Sequence, residues 1–155
     1  MRDKRFIAEH RGGPLTKEQH RQLMLWACKC VENILLLIEK PIDKRLRNAI
    51  KIAKEWTKDI ASVGDARNAS FDAIAVANEL TNPIEIAVAR SVGHAVATAH
   101  MADHSLRAAE YALKAVKLAS KSSESERKWQ DKNLSSDIAD IVLSNRDKQK
   151  IKVNE

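Results

Sequence analysis

The sequence has few residues that interrupt regular helices. Its 155 residues include only 4 glycines and 3 prolines. All-β folds need a tight turn after every short strand, and those turns depend heavily on these two residue types. The scarcity therefore argues against a turn-rich all-β fold and favours helices.

Long hydrophobic runs are also missing. The longest uninterrupted apolar run is Leu23–Cys28, six residues, whereas a helix needs about 20 to cross a bilayer. The chain begins with Met1–Ile7, in which charged residues are not followed by the apolar core of a signal peptide. We therefore expect a cytoplasmic protein that does not associate with membranes.

Cysteine is limited to Cys28 and Cys30. In a helix these two side chains point about 200° apart around the axis, so they cannot bridge each other. The Cys-x-Cys spacing is neither that of a redox pair nor that of a zinc site. We predict two reduced thiols, with Cys30 in the core.

Aromatic residues make up only 4% of the chain, although its net charge is +6. Basic and acidic residues are interleaved along most of the sequence. Only 146–152 forms a basic cluster, and we expect 146–155 to be a frayed, solvated tail. Single-stranded nucleic acids are bound by basic surfaces that also carry aromatic rings for stacking. This composition therefore argues against a nucleic-acid partner.

Helix start signals divide the sequence. Thr16 with Gln19 forms a capping box, Asp43 follows Pro41, and Asn82 precedes Pro83. Apolar residues recur at helical spacing after each signal. The chain length fits a single helical domain, 1–155, with an irregular segment over 1–15. We predict an all-α fold, a compact bundle of about six or seven helices.

Alanine is concentrated in the middle of the chain. Sixteen of the 22 alanines lie between Ala66 and Ala119, and small side chains let helix axes approach to about 8 Å. We therefore predict a tight, Ala-rich central hairpin formed by the third and fourth helices. The helical pattern over 84–120 would give one helix of about 55 Å, too long for a compact domain. We expect a break near Gly93 or between Met101 and Ser105.

Three of the five histidines lie close together in this segment, at His94, His100 and His104. Their neighbours include residue types suited to polar contacts: Arg90, Asp103, Arg107 and Tyr111. Three interpretations stay open. The rings could hydrogen-bond within a second interface of the fold, they could hold a metal ion, or they could form a patch that binds a partner.

Known catalytic motifs are not present in this sequence. The run from His100 to His104 lacks the glutamate of a His-Glu-x-x-His metalloprotease motif. Neither a phosphate-binding Gly-x-x-x-x-Gly-Lys loop nor a Gly-x-Ser-x-Gly nucleophile elbow is found. We predict a protein without catalytic activity and without a cofactor.

Three stretches of the sequence carry a family resemblance. They are Arg5–Thr16 (RFIAEHRGGPLT), Ala87–His104 (AVARSVGHAVATAHMADH) and Glu126–Gln130 (ERKWQ). Together they resemble an immunity-five-like family of small, all-helical bacterial immunity proteins from polymorphic toxin systems. The resemblance extends from about Arg5 to Arg146. It implies a cytoplasmic protein that binds a cognate toxin and neutralises it by occlusion.

The resemblance leaves the binding residues to be inferred. The predicted contact surface is the histidine segment with its neighbours, and a second candidate is the loop with His10 and Arg11. The predicted set is Arg90, His94, His100, Asp103, His104, Arg107, Tyr111, His10 and Arg11. A basic inhibitor suits a toxin with an acidic face. The alternative is a metal-binding helical protein or hydrolase that uses His94, His100 and His104. Whether the chain forms a homo-oligomer stays open.

Overall fold

The computed structural model describes the backbone of residues 2–154 and the side chains of residues 2–149. Over this range it contains no β-strand, and its seven α-helices confirm the predicted all-α bundle. The helices are α1 (Lys17–Ile34), α2 (Lys44–Thr57), α3 (Val63–Glu79), α4 (Pro83–Ala97), α5 (His104–Leu118), α6 (Ser123–Lys132) and α7 (Ser136–Asn154).

Most of the predicted helix starts are confirmed. Thr16 and Gln19 form the reciprocal capping box of α1, Asp43 caps α2, and the Asn82 side chain accepts hydrogen bonds at the start of α4. Helix α3 is an exception, because its start was not among these signals. Its cap is Ser62, and Asp65 is the third residue of the helix and completes a second capping box.

The segment 84–120 is not one helix. It breaks over residues 98–103, which overlaps the second expected place, between Met101 and Ser105, but begins three residues earlier. Gly93, the first expected place, lies inside α4. Helices α4 and α5 pack directly together, with the Ser91 hydroxyl donating to the Ala108 carbonyl at 2.7 Å. On the other side of α4, the Ser70 hydroxyl donates to the Gly93 carbonyl at 3.1 Å. The Ala-rich centre therefore comprises three helices, with α4 between α3 and α5.

The core has two clusters of buried side chains, and α1 contributes to both. Met24 and Cys28 pack with α2, α3 and α4, whereas Trp26 and Cys30 pack with α5 and α7. Both cysteines are free and buried. Burial raises the pKa of the Cys28 thiol to about 12 and also raises the pKa of Cys30, so the thiolate forms are strongly disfavoured.

We expect the native thiols to resist modification. At pH 8, the folded protein should react with a disulfide reagent such as DTNB only as fast as it opens, because both sulfur atoms are buried and protonated. In denaturant, two thiols per chain should react at once. Absorbance at 412 nm measures both rates. Rapid stoichiometric reaction of the folded protein would contradict the buried placement of both cysteines.

Arg146 does not belong to a frayed, solvated tail, which was expected to begin at this residue. Helix α7 continues to Asn154, and Arg146 is only 4% exposed. Its guanidinium pairs with Asp131 of α6 at 2.7 Å, a contact between residues distant in sequence that local patterns could not reveal. The side chains of 150–155 lie outside the described residues.

Helix α2 places its apolar and charged residues on opposite sides. It buries Leu46, Ala49 and Ala53 and exposes Lys44, Arg47 and Lys51. In the part of the chain that the structure describes, no helix combines the length and the apolar content that a membrane crossing requires.

Candidate functional site

The outer side of α4 is where the predicted site residues come together. Successive residues of a helix are rotated by 100°, so Gly93 and Ser91, which face α3 and α5, lie on either side of Arg90 and His94. Arg90 is exposed and His94 is partly buried. The histidine segment therefore lies where the α4–α5 hairpin meets solvent.

The aromatic rings of this segment form a continuous stack. The His94 ring lies nearly parallel to Tyr111, with centroids 5.3 Å apart and an interplanar angle of 8°. The His94 ring also lies against the His104 ring, with centroids 5.1 Å apart and an interplanar angle of 24°. His100 extends the group at 5.4 Å from His104. These contacts hold Tyr111 and His94 in defined orientations.

One hydrogen bond links the two central histidines. The Nδ1 atoms of His94 and His104 are 2.9 Å apart, a distance at which one nitrogen donates its proton and the other accepts it. The bond therefore requires at least one neutral ring. If both rings were protonated, two N–H groups would face each other and the bond would be lost.

The environment favours the neutral state of these rings. The pKa of His94 is lowered to about 4, first by burial and then by the positive charges of His104, Arg107 and Arg90. Burial is also the main cause that lowers the pKa values of His100 and His104, with Asp103 acting in the opposite direction on both rings. At pH 7 the group therefore presents uncharged imidazoles.

The geometry gives no support to the alternative metal site at His94, His100 and His104. Two nitrogen ligands of a tetrahedral zinc ion, each about 2.0–2.1 Å from the metal, would lie roughly 3.3 Å apart. The Nδ1 atoms of His94 and His104 are closer and bind each other directly. Among the described side chains, no group of three or more His, Cys, Asp and Glu residues is arranged to hold a metal ion.

The other predicted site residues differ in position. Arg107 is exposed beside the stack, and Asp103 is engaged by Arg2 in an ion pair of 3.0 Å. His10 and Arg11 are exposed on the N-terminal loop, and the Arg11 charge is near enough to lower the pKa of His100. The stack and its two arginines therefore form one surface, and the loop is a separate element near its His100 end.

Two surface clefts adjoin the stack, and the sequence did not indicate them. They have volumes of about 410 and 430 Å³ and share Leu106, Arg107, Asn145 and Gln149 as lining residues. The four shared lining residues come from α5 and α7, which are separated in the chain by α6. No local sequence pattern could therefore have shown that Asn145 and Gln149 lie beside Arg107.

A second feature that the sequence analysis did not single out is the outer side of α3. Phe71 is 60% exposed and Ile74 is 41% exposed. A signal for them was present, because Ala66, Ala69, Ala73 and Ala77 recur at the spacing of one helix face, and all four are buried. Phe71 and Ile74 lie outside that alanine face of the helix, so their exposure follows from the same pattern.

A family profile described as Imm-5 like putative immunity protein matches residues 13–137. The match includes α1 to α6 and the whole ring stack, whereas Arg2, Asn145 and Gln149 of the clefts lie outside it. No curated protein and no solved structure gives a significant match. The matched region is most of the chain and includes two of the three stretches noted in the sequence and the end of the first, and the protein therefore belongs to the Imm-5 like immunity protein family.

Proposed function

We propose that this protein is an immunity protein that binds a cognate bacterial toxin in the cytoplasm and neutralises it by occlusion, without catalysis. Family membership supports the immunity role. The observation that carries the proposal is the arginine and tyrosine surface on the outer side of α4 and α5, where Arg90 and Arg107 are exposed and Tyr111 is partly exposed. We define this hairpin surface as Arg90, His94, Arg107 and Tyr111.

Residue types and preorganisation both suit the hairpin surface to protein binding. Arginine and tyrosine are enriched among the residues that dominate binding energy in protein interfaces. Tyr111 is stacked on His94, and the Lys114 ammonium lies 5.9 Å from the centroid of its ring. Because these contacts already restrict the ring, binding loses less side-chain entropy than it would with a free tyrosine.

The charges of the hairpin surface favour an acidic partner. Arg90 and Arg107 form no ion pair with any described side chain, so both are available to carboxylates of a partner. A complementary field speeds the encounter of two proteins and disfavours basic partners. We therefore propose a toxin with an acidic face at the position where the hairpin docks.

The test begins by reading the genes on either side of this one and expressing any toxin domain that they encode. We expect the wild-type protein to restore growth of cells that express this toxin and to inhibit the purified toxin at one equivalent. The double substitution Arg107→Ala/Tyr111→Ala should weaken binding at least about 30-fold, as expected for loss of interface anchors. Isothermal titration calorimetry measures the dissociation constant.

The control for this experiment is Lys51→Ala, which removes an exposed charge from α2 and should leave binding within about twofold of wild type. Protection of the toxin's target at far less than one equivalent would indicate catalysis and contradict occlusion. Wild-type binding that the double substitution leaves unchanged would remove the hairpin surface from the interface.

A further inference from the structure

An apolar stripe runs along the exposed side of α3. Val63, Phe71 and Ile74 are 42%, 60% and 41% exposed. At 100° per residue their positions fall within about 80° of one another around the helix axis. Single exposed apolar residues are common on protein surfaces, but several in one stripe indicate an interaction site. We call these three residues the α3 stripe.

The α3 stripe adjoins the hairpin surface. A Cβ atom built on Gly93 would lie 3.2 Å from the Cγ1 atom of Ile74, which shows that Ile74 lies directly against the α4 backbone. Gly93 immediately precedes His94, and Arg90 is on the same outer side of α4. The stripe and the hairpin surface are therefore neighbouring parts of one side of the bundle.

Positive charge accompanies the α3 stripe. Arg67 falls at the same angular position on the helix, between Ile74 and Phe71, and is exposed. The carboxylates of α3 point to the other flank, where Glu79 pairs with Arg45 of α2 at 2.7 Å. This side of the bundle thus combines an apolar centre with arginines, the arrangement of an interface with a desolvated core and a polar rim.

We infer that the α3 stripe is the apolar anchor of the interface with the toxin, an inference that rests on the proposed function. The partner is a folded protein with an apolar pocket that receives Phe71. Asp or Glu side chains at the edge of this pocket pair with Arg67 and Arg90. The inference assigns a contact area to α3 that neither the sequence motifs nor the family match indicates.

Two other occupants fit the charges and shapes less well. A symmetric contact between two copies of this chain would bring one basic side against another, and like charges across an interface are unfavourable. Nucleic acid would match the arginines and could stack on Phe71. The aliphatic side chains of Val63 and Ile74 offer it no stacking surface, however, and would be desolvated without gain.

The test compares Phe71→Ala and Ile74→Ala with the wild-type protein against the adjacent-gene toxin domain. We expect Phe71→Ala to raise the dissociation constant at least about 30-fold and Ile74→Ala to raise it about 10-fold. The matched control is Leu36→Ala, because Leu36 is 85% exposed on the turn after α1. It should change the constant less than about twofold. Circular dichroism verifies that each variant remains folded.

The outcomes separate this inference from the proposed function. Wild-type binding that Phe71→Ala leaves unchanged overturns the α3 anchor but retains the immunity role. Loss of binding in Phe71→Ala with no effect of Arg107→Ala/Tyr111→Ala supports the anchor and removes the hairpin surface. Failure of the wild type to bind overturns both. Micromolar self-association or salt-dependent DNA binding that Phe71→Ala abolishes would identify another occupant and overturn the inference.

Discussion

Replacement of Arg146 by methionine should lower the free energy of unfolding by about 3 kcal/mol. Its guanidinium donates to the Asp131 carboxylate and to the Gln130 side-chain oxygen, both at 2.7 Å. Methionine fills similar space but leaves the buried Gln130 oxygen without a donor, and an unsatisfied buried acceptor is costly. Urea unfolding followed by tryptophan fluorescence measures the change.

The effect should be large because Arg146 joins four helices. Its guanidinium carbon lies 5.2 Å from the centroid of the Trp26 ring in α1. The indole N–H of Trp26 donates to the Gln130 carbonyl at 2.9 Å. The Gln130 amide in turn donates to the Ala109 carbonyl of α5 at 3.1 Å. Loss of the arginine therefore loosens α6 and α7 from the rest of the bundle.

Two further variants distinguish this network from a general effect of charge. Arg146→Lys keeps the charge but replaces two nitrogens, one aimed at Asp131 and one at Gln130, by a single ammonium that does not match this fixed geometry, so we expect a loss of about 1–2 kcal/mol. Lys148→Met changes an exposed residue of the same helix and should stay within about 0.5 kcal/mol of wild type. Equal stabilities for Arg146→Met and Lys148→Met would show that the buried network contributes little.

Local signals in the sequence were sufficient for most of the fold. A capping residue acts on amides two or three positions away, so Thr16, Asp43 and Asn82 could be identified without knowledge of the tertiary structure. The alanine pattern likewise predicted a closely packed centre. Ser62 was missed because Asp65 also has the residue type of a cap, and only the backbone conformation shows which residue begins α3.

Features that depend on distant residues could not be predicted. Continuous helical periodicity over 84–120 is compatible with one long helix or with a hairpin. Packing decides for the hairpin, since Ser91 and Ala108 meet only when the chain folds back. Arg146 looked like part of a solvated tail because its partners Gln130 and Asp131 belong to another helix. The closeness of the histidines was predictable from the sequence, but the direct hydrogen bond between His94 and His104 is visible only in the folded structure.

Acid should destabilise the protein between about pH 6.5 and pH 4. In the unfolded chain the histidine rings take up protons near pH 6.5, whereas the pKa of His94 in the folded protein is lowered to about 4. Protons therefore favour the unfolded state in this range. The contribution of His94 is fully present above pH 6.5 and is lost as the pH falls towards 4.

Burial is the main cause that lowers the pKa values of both rings of the pair. The positive charges of His104, Arg107 and Arg90 lower the pKa of His94 further, whereas the Asp103 charge opposes the lowering at His104 more strongly than Arg107 or Arg2 alone supports it. Burial also lowers the pKa values of His20 and His100. His94 alone should account for about 2 kcal/mol, because its partial exposure reduces the full linkage value. Urea unfolding at a series of pH values measures the total.

His94→Asn isolates the contribution of this ring. At pH 7 the variant should already be less stable, because the stack on Tyr111 and the bond to His104 are lost. Between pH 6.5 and 4 its free energy of unfolding should fall less steeply with pH than that of wild type. The reason is that unfolding of the variant takes up fewer protons, by up to about one. Leu36→Ala changes an exposed residue that has no ionisable group and should keep the wild-type slope. Parallel pH profiles for His94→Asn and wild type would show that His94 is not held neutral by the fold.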